Sequence, residues 1–352
     1  MNSRERVRAA LSGQVPDRIP KTLAFWEASL PDIAPLSPSD YFDLDVRFAE
    51  IEPPAGQEDF LRYLGSLPHD LHMGSLAQLR SYYEWNYHPE SVAGGSPLGQ
   101  IQTAEELERV VFPDSIDPSR YAGLSGQVAG WHTRGLAVAA TPPHLGGHLF
   151  EMAYRLRGFE NFLTDLMHRR PVANYLLNQL TALMVHAALI LAHAGVDILL
   201  LDDDVAMPTD LIISPGLWRE VFKPRLADII RLAREACPAL LVFYHSDGNF
   251  SRLLPDLVEI GVDVINPVQP DCMNAQAIKS AFGDRLALWG TLGTAWLWDH
   301  GSPEAIREEV RSRNQVLGPG GLLLAPAYDV DFAPYRNLLA FVEAVEAFGR
   351  VG

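Results

Sequence analysis

The second half of the chain repeats one pattern, in which a short apolar run is followed by an amphipathic stretch. After Gly195 the apolar runs predict five strands, and the amphipathic stretches predict the helices between them. Strands that are apolar along their whole length are typical of a parallel sheet covered by helices on both faces. The predicted strands are 196–201, 240–244, 262–266, 286–290 and 322–325, and the predicted helices are 215–236, 249–260, 275–282 and 303–317.

The first half is less regular. It opens with a predicted helix at 4–11, for which Ser3 is the expected N-cap and Gly13 the stop, and a predicted strand at 19–25 follows. Residues 29–121 are rich in Pro, Gly and aromatic side chains, and we interpret them as elements inserted early in the fold. The rhythm then resumes with helices predicted at 117–133, from 149 and at 172–193, and a strand at 136–140.

About eight strands in 352 residues favour a closed (β/α)8 TIM barrel with an N-terminal extension or insertion. A doubly wound sheet has the same local signature, and the strand count favours the barrel. No linker-like segment divides the chain, so residues 1–352 are predicted to form a single domain.

Composition excludes several classes of partner. The formal net charge of −16 argues against nucleic acid and against anionic membrane surfaces. The apolar stretch at 183–194 is interrupted by histidines and predicts no membrane span. Only two cysteines are present and the N-terminus lacks an apolar signal core, so a reducing cytoplasm is expected.

Polar side chains follow the predicted strands, where a barrel places its active face. Asp202, Asp203 and Asp204 end one strand, and alternation points the first and third to one side and Asp203 to the other. Crowded carboxylates suggest a neutral acid or a metal, although one of them could cap a helix. His245 and Asp247 end the next strand, as an acid–base pair or as two metal ligands. The alternative is a structurally satisfied histidine followed by a turn.

Other candidates are weaker. Glu151 opens a helix, so it is either a site residue or a first-turn acid that pairs with Arg155. Tyr328 follows the last strand and could donate to an oxyanion. Trp26, His148 and Gln269 complete the candidate binding residues. No Walker loop, dinucleotide fingerprint or nucleophile elbow is present.

These motifs resemble the uroporphyrinogen decarboxylase superfamily, a set of (β/α)8 barrels that includes cobamide-dependent methyltransferases. The resemblance runs over most of the chain and is specific for the superfamily but not for the reaction. The matching segments are SRERVRAALSG at 3–13, PDRIP at 16–20, LRGFE at 156–160, ISP at 213–215, KPR at 223–225, HSDG at 245–248, NP at 266–267 and PGGLLLAP at 319–326.

Two departures narrow the expectation. Typical uroporphyrinogen decarboxylases carry an Arg-Gln-Ala-Gly-Arg segment that grips substrate carboxylates, whereas residues 22–27 read TLAFWE here. The zinc-dependent methyltransferases of the superfamily carry a His-x-Cys pair and a later cysteine. His245 carries over, but Asp247 and Tyr328 stand at the cysteine positions. Zinc or another divalent ion would then be held by His245, Asp247 and Glu151, and the same groups could also act without metal.

The first functional hypothesis is therefore a methyltransferase-like enzyme that acts on a small methylated compound. Asp203 and Glu151 would hold ligand or metal, and a separate corrinoid protein would be the partner. A second copy of the chain, as a homodimer, is left open. The rival is a metal-free decarboxylase or lyase of the same superfamily, and a third hypothesis is a barrel that binds a small ligand without catalysis.

Overall fold

The computed structural model describes the chain except for residues 29, 34, 52–56, 65–75, 86, 88–95, 114–116, 331 and 351–352. Most of the omitted residues belong to the 29–121 stretch, so much of the predicted insertion lies outside the described residues. One parallel sheet dominates the part that is described. Its seven strands pair in chain order, β1 beside β2 and so on to β7. They are β1 Val46–Phe48, β2 Ala137–Ala140, β3 Ile198–Asp202, β4 Leu241–His245, β5 Val264–Asn266, β6 Ala287–Trp289 and β7 Leu322–Leu323.

The segment predicted as the first strand, 19–25, does not form one. Lys21 alone makes a parallel bridge to Leu324, and Thr22 N–H donates to the Leu324 carbonyl over 3.1 Å. On the other side, Asp45 N–H donates to the Lys21 carbonyl over 3.1 Å, next to β1. The two edges of the sheet thus meet the same short segment. The α/β architecture is TIM-barrel-like, with seven strands among the described residues in place of the predicted eight.

Alternation along the strands sorts side chains into two cores. One set, which includes Ile198, Leu200, Leu241 and Phe243, packs together with Trp289 in the interior of the curved sheet. The set between them, such as Leu199 and Leu201, packs in the layer between sheet and helices. Continuing the inner register by two residues reaches Asp202 on β3 and His245 on β4. Because side chains alternate between the two faces of a strand, Asp202 and His245 point to the interior at the carboxyl ends of their strands.

The helices cover the outside of the sheet. Helix α1 begins one residue earlier than predicted, and its N-cap is Asn2, not Ser3, because the Asn2 side chain accepts from Glu5 N–H. The segment predicted as one helix at 215–236 forms two helices. Strand β1 was not predicted, because it lies in the irregular stretch at 29–121. The helices are α1 Ser3–Leu11, α2 Pro38–Tyr41, α3 Gln57–Leu64, α4 Leu76–Glu84, α5 Ala104–Leu107, α6 Leu124–Thr133, α7 Phe150–Arg157, α8 Phe159–Met167, α9 Pro171–Ala194, α10 Pro215–Val221, α11 Lys223–Ala236, α12 Leu254–Glu259, α13 Ala275–Phe282, α14 Ala295–His300, α15 Pro303–Leu317 and α16 Tyr335–Phe348.

By length and composition alone, helix α9 is long and apolar enough to cross a membrane. The sequence predicted no membrane span here, because histidines interrupt the apolar stretch at 183–194. The same property is common in core helices. In the structure α9 packs against α6, α8, α11 and β3, and its leucines Leu176, Leu177, Leu180 and Leu191 are buried. Its apolar face is thus used within the fold.

Candidate active site

A cavity of about 410 Å³ opens at the carboxyl ends of the strands. Its wall combines carboxylates with aromatic rings, and Gln78 of α4 also reaches it. Part of the chain between residues 29 and 121 therefore contributes to the wall. The lining residues with ionisable or aromatic side chains are Phe25, Trp26, Glu151, Arg155, Asp202, Asp204, His245, Asp247, Trp289, Tyr328 and Asp329.

His245 is held in one orientation by Asn266. The Asn266 amide Nδ2 donates to the Trp289 carbonyl over 2.9 Å, so its Oδ1 is free to accept. His245 Nδ1 lies 2.6 Å from that oxygen and must therefore be the donor. Neutral His245 consequently carries its lone pair on Nε2. Phe25 packs on the imidazole, with ring centroids 4.4 Å apart.

Three carboxylates surround Nε2 of His245. Oδ1 of Asp204 lies 3.7 Å from it, and Oδ1 atoms of Asp202 and Asp247 lie 3.9 Å from it. Asp204 accepts the backbone N–H of Asp247 over 2.7 Å, and Asp247 accepts from Gln269 Nε2 over 2.9 Å. The predicted convergence of His245 with acidic side chains around a cavity is observed.

The three consecutive aspartates divide as alternation predicts. Asp202 and Asp204 line the cavity, whereas Asp203 points to the outer layer. Its carboxylate accepts the backbone N–H groups of Phe150 and Glu151, each over 2.9 Å, at the start of α7. Burial raises the pKa of Asp203 to about 7, and these backbone donors oppose the shift. The predicted catalytic Asp203 thus occupies a helix-capping position away from the cavity.

Burial and mutual repulsion act on the carboxylates that line the cavity. Burial, followed by the neighbouring charges of Asp204 and Glu151, raises the pKa of Asp202 well above its usual value. Burial raises the pKa of Asp247 to about 6, and His245 opposes this shift. The described residues of the wall include five carboxyl groups against one arginine and one histidine. Such an environment favours cations and disfavours anions.

The charge of Glu151 is neutralised by Arg155, which also lines the cavity. Its Oε1 accepts from Arg155 Nη2 over 2.6 Å, from Arg155 Nε over 2.8 Å and from Tyr154 over 3.0 Å. Burial nevertheless raises the pKa of Glu151. The sequence suggested both a metal ligand and a partner of Arg155, and the structure forms the ion pair.

The remaining predicted residues take mixed positions. Tyr328 lines the cavity and donates to Asp271 Oδ2 over 3.1 Å, and Trp26 also lines it. Gln269 supports Asp247 from outside the lining. His148 is buried behind the wall, where its Nδ1 accepts the N–H of Asp202 over 2.8 Å and so fixes that backbone.

Three important residues had no predicted role of their own: Asp204, which was named only as part of the aspartate triplet, Asn266 and Arg155. The first two stand at the ends of predicted strands, so strand-end position was a usable signal for both. Arg155 lies one helical turn after Glu151, which signals pairing but not a place in the cavity wall.

Donors for a metal ion are present in this wall. One ligand atom each from Asp202, Asp204 and His245 lie within 4.8 Å of one another. The group shares His245 with the predicted metal set of His245, Asp247 and Glu151, but it replaces the other two members by Asp202 and Asp204.

Comparison with known proteins agrees with this architecture. The family model described as uroporphyrinogen decarboxylase (URO-D) matches residues 147–348, so the chain belongs to that family. No curated protein matches.

Similar solved structures extend over the whole chain. A methyltransferase from Methanosarcina mazei aligns with a TM-score of 0.69 and 18% identity, covering 99% of each chain. Xylanase 10B from Thermotoga petrophila aligns with a TM-score of 0.45 and 14% identity, covering 99% of this chain and 98% of the xylanase. The first of these likenesses supports the fold.

Proposed function

We propose that this protein is a cobamide-dependent methyltransferase-like enzyme that demethylates a small O-, N- or S-methylated compound bound in the cavity. One observation carries the proposal: the free Nε2 of His245 faces an acidic cavity and is held there by Asn266. The similarity of the fold to a methyltransferase from Methanosarcina mazei supports the reaction type.

In the proposed reaction the bond between the methyl carbon and the heteroatom breaks, and the heteroatom keeps the electron pair. A poor leaving group needs a proton or a Lewis acid at that moment. Protonated His245 would supply the proton from Nε2, and Asp202 and Asp204 would stabilise the imidazolium before transfer. Tyr328 and the indole N–H groups of Trp26 and Trp289, which lack acceptors among the described residues, would orient the substrate.

A divalent metal, where bound, would take the place of the proton and supply Lewis acidity to the same heteroatom, because Nε2 of His245 cannot carry a proton and bind a metal at once. Asp202, Asp204 and His245 would hold it, because they combine carboxylate and imidazole donors in one place. The structure contains no thiolate at this position, since neither cysteine lines the cavity.

A separate corrinoid protein would accept the methyl group over the cavity mouth. Three large apolar side chains are exposed on the segments that follow strands β3, β6 and β7, on the same side as the cavity. They are Met207, Trp296 and Phe332. A protein partner would cover such side chains, which is why they support this partner.

The alternative hypothesis, a decarboxylase, requires that a substrate carboxylate bind in the same cavity. Among the described lining residues, Arg155 is the one basic side chain besides His245, and it is paired with Glu151. A substrate carboxylate would face these acidic side chains with no unpaired arginine or lysine among the described lining residues, so methyl transfer is the better supported reaction. A non-catalytic binding barrel would use the cavity but would not need an oriented His245.

Methyl transfer to free cob(I)alamin from a panel of small methylated ethers, amines and thioethers tests the proposal. The wild-type protein should catalyse transfer from at least one compound, and His245→Ala should slow it by about 10²–10⁴-fold. His193→Ala is the matched control, because this histidine is exposed on α9. Tight binding of a compound with no transfer, unaffected by His245→Ala, would overturn the proposal in favour of the binding barrel.

A further inference from the structure

Asp202 is a buried carboxylate to which no described residue donates a hydrogen bond. Its residue is only 7% exposed, yet it lines the cavity. Among the described basic side chains, Nδ1 of His144 also approaches the carboxylate of Asp202, at 3.9 Å. That nitrogen lies 2.8 Å from the Gly146 carbonyl, which can only accept, so its proton points there and not to Asp202.

Asp202, Asp204 and His245 therefore bring acceptor atoms together. Asp204 Oδ1 accepts the backbone N–H of Asp247 over 2.7 Å, but none of the three side chains donates to another. His245 Nε2 carries a lone pair, because Nδ1 donates to Asn266. The distances of 3.7 and 3.9 Å from Nε2 to the carboxylate oxygens are too long for hydrogen bonds. Like charges in a buried place repel strongly, and a cation between them would turn each repulsion into attraction.

We infer that Asp202, Asp204 and His245 form a site for a divalent cation of the kind that accepts oxygen and imidazole ligands, such as Mn²⁺. Two ligand atoms at about 2.1 Å from one ion lie roughly 3–3.5 Å apart. The three donor atoms are within 4.8 Å of one another, so small side-chain rotations would close them on an ion. Gln269 holds Asp247 beside them as a further oxygen donor.

The other candidate donors are excluded by their partners. Glu151 Oε1 accepts three hydrogen bonds from Arg155 and Tyr154, which cancel its charge. Cys272 lies outside the cavity lining, and its Sγ is 3.5 Å from Gln269 Oε1. The site thus differs in donor chemistry from a thiolate zinc site, and harder ions should bind to it.

This assignment deepens the proposed function, since the ion would face the substrate heteroatom, but it rests on a geometry that can be tested without turnover. The experiment is a titration of full-length protein, stripped of metal with a chelator, with Mn²⁺. Binding is measured from the decrease in the electron paramagnetic resonance signal of free Mn²⁺. We expect one strongly bound ion per chain. Asp202→Asn, Asp204→Asn and His245→Ala should each weaken binding at least about tenfold.

Asp329→Asn is the matched control, because it removes one negative charge from the same cavity wall but outside the three donors. It should change the Mn²⁺ affinity by less than about threefold, as expected for a charge that is not a ligand. An equal loss in all four variants would overturn the site in favour of diffuse attraction. Circular dichroism of each stripped variant checks that the fold is retained.

Substitution with Co²⁺ gives a second readout. The visible bands should lack thiolate-to-metal charge transfer, and a thiolate band would overturn the donor set by placing Cys272 on the metal. The two proposals fail separately. Mn²⁺ binding without methyl transfer would leave the site standing and refute the function, whereas methyl transfer by stripped protein that binds no Mn²⁺ would refute the site alone.

Discussion

The imidazole Nδ1–H of His245 donates to Oδ1 of Asn266 over 2.6 Å, and this bond determines which nitrogen faces the cavity. Asn266 is itself fixed by the Trp289 carbonyl over 2.9 Å. Residues behind a functional histidine commonly set its tautomer in this way. The orientation of His245 therefore depends on strands β5 and β6 as well as on its own strand.

Loss of this support should weaken the site without removing His245. Asn266→Ala should lower Mn²⁺ affinity, and the rate of any methyl transfer, by about 10–100-fold, because Nε2 is no longer fixed as the lone-pair nitrogen. The paramagnetic resonance titration measures the affinity. Unchanged affinity in Asn266→Ala would show that the Nδ1 hydrogen bond does not control the site.

Gly290 provides an independent route to the same defect. Its φ is +76°, and a Cβ added there would lie 2.6 Å from Asn266 Nδ2. Gly290→Ala should therefore displace the Asn266 amide and reproduce the affinity loss of Asn266→Ala. The double variant should be little worse than either single variant, because both act through one contact.

Asp202→Asn should stabilise the metal-free protein although it removes metal binding. The new amide can donate to Asp204 or to His245 Nε2, where the carboxylate could only repel. We expect the free energy of unfolding at pH 8 to rise by about 1–3 kcal/mol, the cost of an unsatisfied buried group. Urea unfolding of stripped protein measures this, and a clear loss of stability would mean that Asp202 has a stabilising partner in solution.

The contribution of Asp202 and Asp247 to the stability of the stripped protein should fall as pH rises. The pKa of Asp202 is raised well above its usual value and that of Asp247 to about 6, so the folded state binds more protons than the unfolded state above pH about 4. The unfolding free energy then decreases with pH, from about 4 to about 6 for Asp247 and further for Asp202. Saturating Mn²⁺ should oppose this decrease, since the ion binds the ionised carboxylates. Buried His144 and His148, whose pKa values are lowered to about 3 and about 4, act in the opposite direction, so the profile is compared with those of Asp202→Asn and Asp247→Asn. Identical pH profiles in wild type and in both variants would contradict the acidic, donor-poor cavity.

Asp203 should behave differently from its two neighbours. Asp203→Ala removes the acceptor for backbone N–H groups at the start of α7 and should cost about 0.5–2 kcal/mol, the range for a lost helix cap. Mn²⁺ affinity should change far less than in Asp202→Asn. Equal effects of Asp202 and Asp203 variants on metal binding would mean that the alternation of the strand end is not maintained in solution.

Anionic substrates should bind poorly to this cavity. Five carboxyl groups face it, and Arg155 is paired with Glu151. A tetracarboxylate porphyrinogen should therefore show no binding at micromolar concentration in a calorimetric titration. Micromolar affinity would instead favour the decarboxylase reading.

The second half of the fold was predictable because its strands are buried on both faces and therefore apolar throughout. Helices α13 Ala275–Phe282 and α15 Pro303–Leu317 match the predicted bounds. Strand β1 could not be predicted in this way, because Val46–Phe48 is only three residues long and contains the charged Arg47. The segment at 19–25 has strand-like composition, but it contributes only the bridge at Lys21.

The same contrast applies to the site. Period-two alternation placed Asp202 and Asp204 on one side and Asp203 on the other, as the structure confirms. Pairing choices could not be predicted, because they depend on distances between different strands and helices. Whether Glu151 is free or bound to Arg155, and whether Gln269 meets substrate or supports Asp247, was decided by tertiary packing.

The most direct test of this account is anomalous diffraction at the manganese edge from crystals soaked in Mn²⁺ at pH 8. A single strong peak bounded by the carboxylates of Asp202 and Asp204 and by Nε2 of His245 is the predicted result. No peak there, with Nε2 turned away or hydrogen-bonded to another residue, would contradict it.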